Sequence, residues 1–191
     1  MTSTPKAIMR IAFSLPLIMA GFFASSFSFA GDKEDEAALL QALPKSKLTL
    51  ADGLKHSSKG AEVPISAKFE LDDHQMLSLS VYTAEKGLAV DSEHNILKEL
   101  AGSPEKTPWA PEAEIFKDLP HVARASAHLT LTALAKHSLL DIVLHAQKEH
   151  PGTVLSVTPA LHQRHPVFVV LVAGKGKVSE YAYDAITGKP M

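Results

Sequence analysis

The sequence predicts an α+β protein with two similar units, each a helix packed on a small antiparallel β-sheet. Three observations lead to this fold class. Residues 138–191 carry a helix pattern, then three short strand patterns and a turn. A weaker copy of this succession begins at residue 48. Hydrophobic residues make up 46% of the 191 residues, which is enough for a packed core.

The first thirty residues have the form of a secretory signal peptide. Lys6 and Arg10 precede an apolar stretch over residues 11–23, and Ser28-Phe29-Ala30 matches the small-x-small pattern of a cleavage site. We expect cleavage after Ala30 and a periplasmic or secreted location. The alternative is an uncleaved anchor, because residues 11–30 approach the roughly 20 that span a bilayer.

Charge and cysteine content exclude several classes of function. Without residues 1–30 the chain has 17 Lys and Arg against 21 Asp and Glu. This acidic balance argues against a nucleic-acid partner, which requires clustered positive charge. The absence of cysteine excludes disulfides, thiol catalysis, Cys-ligated metals and an N-terminal lipidated cysteine. A disulfide-free secreted domain favours a bacterial periplasm.

An N-terminal segment, residues 31–47, precedes the first unit, residues 48–100. We expect residues 31–36 to be loose and residues 37–43 to form two helical turns. Thr49 and Asp52 have the spacing of an N-cap and a first-turn acid, whereas Gly53 weakens the helix that follows. Alternating apolar residues predict strands over 65–71 and 77–81, with a turn at 72–75. A short third strand is expected over 88–91, then a tight turn, and residues 96–100 can continue as strand.

Residues 101–137 are expected to form a proline-containing linker and a helix. Pro104, Pro108, Pro111 and Pro120 prevent a regular helix through most of the linker. Trp109 is expected to pin the linker onto the core, with a binding role as the alternative. Over residues 121–137 we expect helix first and an extended segment after it.

The second unit, residues 138–191, has the clearer pattern. Ser138 and Asp141 predict a capped helix start, and Pro151-Gly152 ends the helix. Strands are expected over 154–161, 167–172 and 178–184, with Pro159 at an edge or bulge. Residues 167–172 are apolar on both faces, so both should be covered, within the chain or in a homodimer.

The two units align residue by residue. Thr49, Asp52 and His56 match Ser138, Asp141 and His145, and further matches pair Gly60 with Gly152, Asp91 with Asp184, and Asn95 with Gly188. Asn and Gly best tolerate a left-handed backbone, which gives the last match a conformational reason. The spacing stays between about 89 and 93 residues, which indicates a duplication.

The second unit resembles the PepSY domain, most specifically in residues 183–188 (Tyr-Asp-Ala-Ile-Thr-Gly) and 151–154 (Pro-Gly-Thr-Val). The resemblance is weaker over residues 48–100, where Asn95 replaces the usual glycine. It implies a helix packed across a small antiparallel sheet. PepSY domains occur in propeptides of secreted metallopeptidases and in envelope proteins. The resemblance therefore implies a binding or peptidase-inhibiting module whose partner is a protein or peptide, such as a secreted peptidase.

No motif in the sequence predicts a catalytic, cofactor-binding or metal-binding residue. There is neither a Gly-x-Ser-x-Gly nor a His-Glu-x-x-His motif. His162 and His165 flank a predicted hairpin tip and could share an ion if His150 lay near, but Arg164 between them favours plain turn residues. His121 and His128, seven apart, would share a helical face. His56 and His145 are interpreted as structural histidines near helix ends.

Two hypotheses for function follow. The first is a non-enzymatic periplasmic binding or peptidase-modulating module, in which a sheet edge accepts an extended peptide. The alternative is an envelope carrier of a small ligand or metal that uses surface histidines. No cofactor, no nucleic acid and, after signal removal, no membrane association are expected.

Overall fold

The computed structural model describes residues 33–191, which form a mixed α+β fold with four α-helices and a seven-stranded sheet. The helices are α1 (Lys33–Ala42), α2 (Leu50–Ser57), α3 (Leu119–Leu134) and α4 (Leu139–Glu149), and a 3₁₀ turn (Leu43–Lys45) follows α1. The strands are β1 (Val63–Leu71), β2 (Leu77–Ala84), β3 (Leu97–Gly102), β4 (Glu112–Ile115), β5 (Thr153–His162), β6 (His165–Gly174) and β7 (Lys177–Asp184). The predicted signal peptide and its cleavage site lie outside the described residues.

The sheet is antiparallel throughout, with the strand order β4-β3-β2-β1-β5-β6-β7. Its two halves meet where β1 pairs with β5, through only two residue pairs, Ala67 with Val157 and Lys68 with Ser156. The pairing register shifts beside this joint in both strands, at Ile65 in β1 and at Leu155 in β5. Such bulges bend a strand and increase its twist. The central joint is therefore short and bent on both sides.

The helix starts of α2 and α4 are the capping boxes that the sequence predicts. The Thr49 hydroxyl accepts from the Asp52 amide at 3.2 Å, and the Asp52 carboxylate accepts from the Thr49 amide at 2.9 Å. The same two bonds join Ser138 and Asp141, both at 3.1 Å. Each box satisfies backbone N–H groups that a helix start otherwise leaves unpaired.

The main hydrophobic core lies between one face of the sheet and the helices α1, α2 and α4. It buries Leu54 of α2, Ile142 of α4, Phe69 of β1 and Phe168 of β6. Gly53 allows α2 to approach the sheet closely, because a Cβ atom there would lie 2.7 Å from a methyl carbon of Leu79. The glycine that weakens α2 as a helix therefore serves its packing.

Helix α3 packs on the opposite face of the sheet. A smaller core there contains Ile65, Tyr82 and Leu97 from the sheet and Ala125 and Leu129 from α3. Tyr82 alternates with Val81 of the main core, as the two-residue period of a strand requires, whereas Ile65 reaches this face because of the bulge in β1. The helix lies over β1, β3 and β5, so it covers the middle of this face more than the end formed by β6 and β7.

The third strand of the first half does not lie where the sequence predicted it. Residues 88–91 form turns, whereas the expected continuation as strand over residues 96–100 is confirmed by β3, Leu97–Gly102. The Asp91 and Asp184 turns are nevertheless alike, since each carboxylate accepts from the amides two and three residues later. The Asp91 turn precedes β3, whereas the Asp184 turn follows β7. The two turns therefore share a local hydrogen-bonding pattern, but this similarity does not predict where the neighbouring strands lie.

Asn95 does not adopt the left-handed backbone that its alignment with Gly188 predicted. Gly188 has a φ of 69°, but Asn95 is not among the residues with positive φ. Its side chain holds the loop instead, by donating to the carbonyls of Gly87 and Val90 and accepting from the amides of Lys86 and Ile96. Asn95 is therefore a loop anchor and not a substitute for glycine.

Three further predictions need correction. Residues 33–36, expected to be loose, already belong to α1, and α3 continues to Leu134 where an extended segment was expected. The proline-containing linker includes a short edge strand, β4.

Trp109 does pin this linker to the main core, since only 5% of the residue is exposed. Pro159 pairs with Phe168 of β6 and lies beyond the two pairs with β1, so on the β1 side it is at a local edge.

Candidate functional site

A groove runs beside α3 on the second face of the sheet, and we call it the α3 groove. It consists of two adjoining cavities with volumes of about 550 and 480 Å³, sizes common for ligand sites. Arg124, His128 and Val169 line both cavities. The larger cavity extends over β1, β2 and β5 to β6 and also reaches Asp35 and Leu39 of α1 on the main-core side, and the smaller one lies between α3 and the strands β5 to β7.

The floor of the α3 groove combines hydroxyl groups with apolar side chains. The hydroxyl residues are Ser66, Ser80, Ser156 and Thr158. The apolar residues that β6 contributes are Val167, Val169 and Leu171, and further apolar residues of the lining come from β1, β5, β7 and α3. Val167 is buried, whereas Val169 and Leu171 are half-buried. Ser66 and Ser80 are almost fully buried and bond to His128 and Glu99, so Ser156 and Thr158 are the hydroxyl residues of this set that can pair with a ligand.

Strand β6 explains why this floor is apolar. Phe168, Val170 and Val172 point into the main core and are almost fully buried. The intervening residues face the groove, and α3 covers them only in part. The sequence predicted full cover of both faces, within the chain or by a second copy. Within residues 33–191 the cover is partial, and the homodimer stays a prediction.

His128 is the buried polar residue of the groove wall, with 6% of its surface exposed. Its Nδ1 atom lies 3.1 Å from the Ser66 hydroxyl, which ties α3 to β1. Burial, and secondarily the charge of Arg124 one turn earlier, lowers the pKa of the imidazole to about 4. His128 is therefore neutral at neutral pH and serves as a hydrogen-bonding contact, not as a charge.

Tyr82 lies next to His128 at the centre of the second face. Burial and the nearby Glu99 carboxylate raise the pKa of the Tyr82 phenol to about 12, and the Arg124 guanidinium beside it opposes this shift. The Tyr82 ring packs against Phe116, with ring centroids 4.7 Å apart, and Phe116 stacks on His121. The raised pKa keeps the Tyr82 phenol protonated at neutral pH, and the ring contacts hold it beside Arg124.

Two cations line the groove, and their partners differ. Lys68 forms an ion pair with Glu70 on the same strand. For Arg124, none of the carboxylates within residues 33–191 comes inside the 4.0 Å of an ion pair. Arg124 is exposed and lies where the two cavities join. It is therefore the charge of the groove that a ligand can pair with.

The histidines that the sequence singled out lie apart from one another. His162 and His165 are exposed on either side of the β5–β6 hairpin tip, whereas the His150 ring stacks on Tyr181 at 3.5 Å. Tyr181 pairs with Val170, five residues from His165, a separation of about 16 Å along a strand. Within residues 33–191 no three His, Asp or Glu side chains have an arrangement suited to a metal ion.

His56 and His145, the matched histidines of the two halves, make different contacts. The His56 ring packs edge-on against Trp109, with ring centroids 5.1 Å apart. The His145 Nδ1 atom lies 3.1 Å from the Gly188 carbonyl oxygen, and its Nε2 atom lies 3.2 Å from the Glu149 carboxylate. Glu149 also accepts a 3.1 Å hydrogen bond from the Tyr183 hydroxyl. Both histidines thus connect elements near helix ends.

Sequence reasoning did not single out Arg124, Tyr82 or the hydroxyl residues as a site. The alternation of serines with apolar residues in β1 and β2 marked one face as polar, and this was read as an ordinary solvent-facing surface. The sequence did show that residues 167–172 are apolar on both faces, but it did not show which strands lie beside them. The polar face of β1 and β2 and the apolar face of β6 form one groove because the strand order brings them close together on the same face of the sheet. This order cannot be read from a single segment of sequence.

Comparison with known protein families assigns no family to this chain. No family model matches the chain, and no curated protein matches it. A crystal structure of a candidate lipoprotein from Clostridium difficile 630 is similar with a TM-score of 0.36 and 13% sequence identity, over 69% of this chain and 80% of that one. In residues 33–191, none of the helices has the length and apolar character needed to cross a membrane.

Proposed function

We propose that the chain is a non-enzymatic binding module of the cell envelope and that the α3 groove holds its partner. The observation that carries this proposal is the half-buried apolar floor of the groove beside Arg124, whose guanidinium has no carboxylate partner within residues 33–191. Apolar surface enclosed next to a few convergent polar groups is typical of binding sites. The envelope location rests on the signal-peptide pattern of residues 1–30.

We also propose that the chain consists of two PepSY-like units related by duplication. The two capping boxes are 89 residues apart, and the bulges at Ile65 and Leu155 are 90 apart. At the joint between β1 and β5, Ala67 pairs with Val157, which is again 90 residues away. A residue that pairs with its own counterpart places an approximate two-fold axis at the joint, as two copies of one unit would require.

The shape of the groove favours an extended segment of a protein as the partner. From Ser80 on β2 to Glu180 on β7 the groove crosses four strand spacings, or about 19 Å. This length accommodates about six residues of extended chain. The hydroxyls of Ser156 and Thr158 can pair with the amides of such a segment. The PepSY resemblance adds the narrower proposal that the segment belongs to a secreted peptidase whose activity the module inhibits.

The contact between His128 and Ser66 lacks features of a catalytic pair, which supports a non-enzymatic role. Ser66 and His128 are in hydrogen-bonding distance, which is the first requirement of a nucleophile and its base. Within residues 33–191, however, the other ring nitrogen of His128 has no carboxylate as a hydrogen-bond partner to orient it. Ser66 is also almost fully buried, at 7% exposure. The pair is therefore read as a structural link between α3 and β1.

A groove-filling substitution tests the proposed function. Thr158→Trp places a large ring in the groove, and Thr153→Trp places the same ring on an exposed position of the same strand, outside it. The protein purified from the periplasm would be immobilised in all three forms and exposed to secreted proteins, with the bound species identified by mass spectrometry and assayed for peptidase activity. We expect a partner retained by the wild type and Thr153→Trp but lost with Thr158→Trp. Equal retention by all three forms refutes the groove as the binding site.

A further inference from the structure

We infer that the α3 groove recognises a free carboxylate beside an apolar side chain, namely the C-terminal end of an extended peptide, and that Arg124 holds the carboxylate. This inference rests on the proposed function and names the ligand chemistry of the same groove.

The charges of the groove point to Arg124 as the anchor. The other cation, Lys68, is already neutralised by Glu70. The remaining acidic side chains of the lining, Asp35 and Glu180, each belong to one cavity only, whereas Arg124 lines both. A planar guanidinium with five N–H donors can pair with both oxygens of a carboxylate. An incoming carboxylate at the junction would give Arg124 the partner that it lacks within residues 33–191.

The groups around Arg124 are donors that suit a carboxylate. The Tyr82 phenol lies beside the guanidinium, and its raised pKa keeps it protonated. Ser156 and Thr158 line the same cavity, and their hydroxyls form no side-chain hydrogen bond within the described part of the chain. An ionised carboxylate accepts up to four hydrogen bonds and donates none, so it matches a donor-rich site.

The apolar floor favours a ligand with an apolar side chain next to its carboxylate. Val169 lines both cavities with Arg124, and Leu171 follows it on the same face of β6. A branched or aromatic side chain of the terminal residue could pack on both while its carboxylate reaches Arg124. A fatty acid offers the same pairing of charge and apolar chain. A peptide also carries backbone amides, which can pair with whichever of the Ser156 and Thr158 hydroxyls the carboxylate does not occupy.

Binding of matched peptides to the intact protein tests the inference. The probes are N-terminally fluorescein-labelled heptapeptides with three apolar C-terminal residues, each made as the free acid and as the amide. Fluorescence polarisation would be measured with the wild type, Arg124→Gln and Arg164→Gln. Arg164 lies on the exposed β5–β6 hairpin tip, so its substitution changes the charge equally but outside the groove. Dodecanoate serves as a competitor that carries the carboxylate without amides.

We expect the amide to bind at least roughly tenfold more weakly than the acid, as the loss of a charge-assisted hydrogen bond implies. Arg124→Gln should remove this preference, and Arg164→Gln should keep it. Equal binding of acid and amide overturns the inference, and if Thr158→Trp still abolishes that binding, the proposed function survives. Binding of dodecanoate without binding of any peptide also overturns it, as does the absence of all binding.

Discussion

The buried imidazole of His128 makes the protein lose stability in mild acid. In the folded chain its pKa is about 4, whereas an imidazole in the unfolded chain titrates near 6.5. Between these values the unfolded chain binds the proton and the folded chain does not. Stability therefore rises with pH across this window, is complete above about pH 6.5, and is lost progressively as the pH falls towards 4.

The size of the effect follows from the two pKa values. A difference of this size at one group is worth about 3 kcal/mol when the whole window is crossed. From pH 7.5 to pH 4.5 the loss amounts to about 2.5 kcal/mol. This is a large share of the 5–15 kcal/mol that is typical of a domain. The desolvated position of His128, at 6% exposure, makes solvent screening a small correction.

Urea unfolding at a series of pH values would measure this loss. His128→Asn removes the titrating ring but keeps a polar atom near Ser66, and His74→Asn makes the same change in the exposed β1–β2 turn. We expect the stability of the wild type and His74→Asn to fall by about 2.5 kcal/mol between pH 7.5 and 4.5. His128→Asn should be less stable at pH 7.5 but lose much less over the same range. Parallel pH profiles for His128→Asn and the wild type would refute the reasoning.

Two further predictions concern local structure. Ser138→Ala and Thr49→Ala each remove an N-cap and should cost about 1 kcal/mol in urea unfolding, and Ser126→Ala, on the surface of α3, should change stability by less than about 0.5 kcal/mol; equal effects of the three would contradict the role of the boxes. Gly152→Ala should prevent stable folding or lower the melting temperature sharply, because its φ is +143° and a Cβ would lie 2.2 Å from the Ala173 carbonyl oxygen. Gly176→Ala, with φ at +75° and nothing within 4 Å, should cost only about 1 kcal/mol, and a similar shift for both glycines would show that the contact with Ala173 is relieved.

The parts of the fold that the sequence predicted depend on neighbours in the chain. Both capping boxes involve residues three apart, and the β1–β2 and β5–β6 hairpins join strands that follow each other directly. The residue types at these positions act locally, so a single segment is enough to recognise them. The left-handed backbone at Gly188 is likewise a local feature, because it depends on the glycine itself and on the turn that contains it.

The predictions that failed needed contacts between distant segments. The third strand of the first half is β3 because residues 97–102 pair with β2 and bury Leu97 under α3, an advantage that residues 88–91 do not have. Asn95 could have served a left-handed turn, but its four loop hydrogen bonds were not visible in its spacing from Asp91. Helix α3 extends to Leu134 because Leu129 and Thr132 are buried on the sheet, which overrides the strand-like alternation of residues 129–132.

The α3 groove depends on the asymmetry between two similar halves. If the halves arose by duplication, their second faces began alike, and α3 distinguishes them because it lies over β1 and β3 of the first half but mainly over β5 of the second. Over β6 the same face stays partly open, although Val169 and Leu171 there are as apolar as a core requires. A sequence under selection only for solubility would place polar residues at these two positions. Their position beside Arg124 and the buried His128 is the physical reason to regard this face as a binding surface.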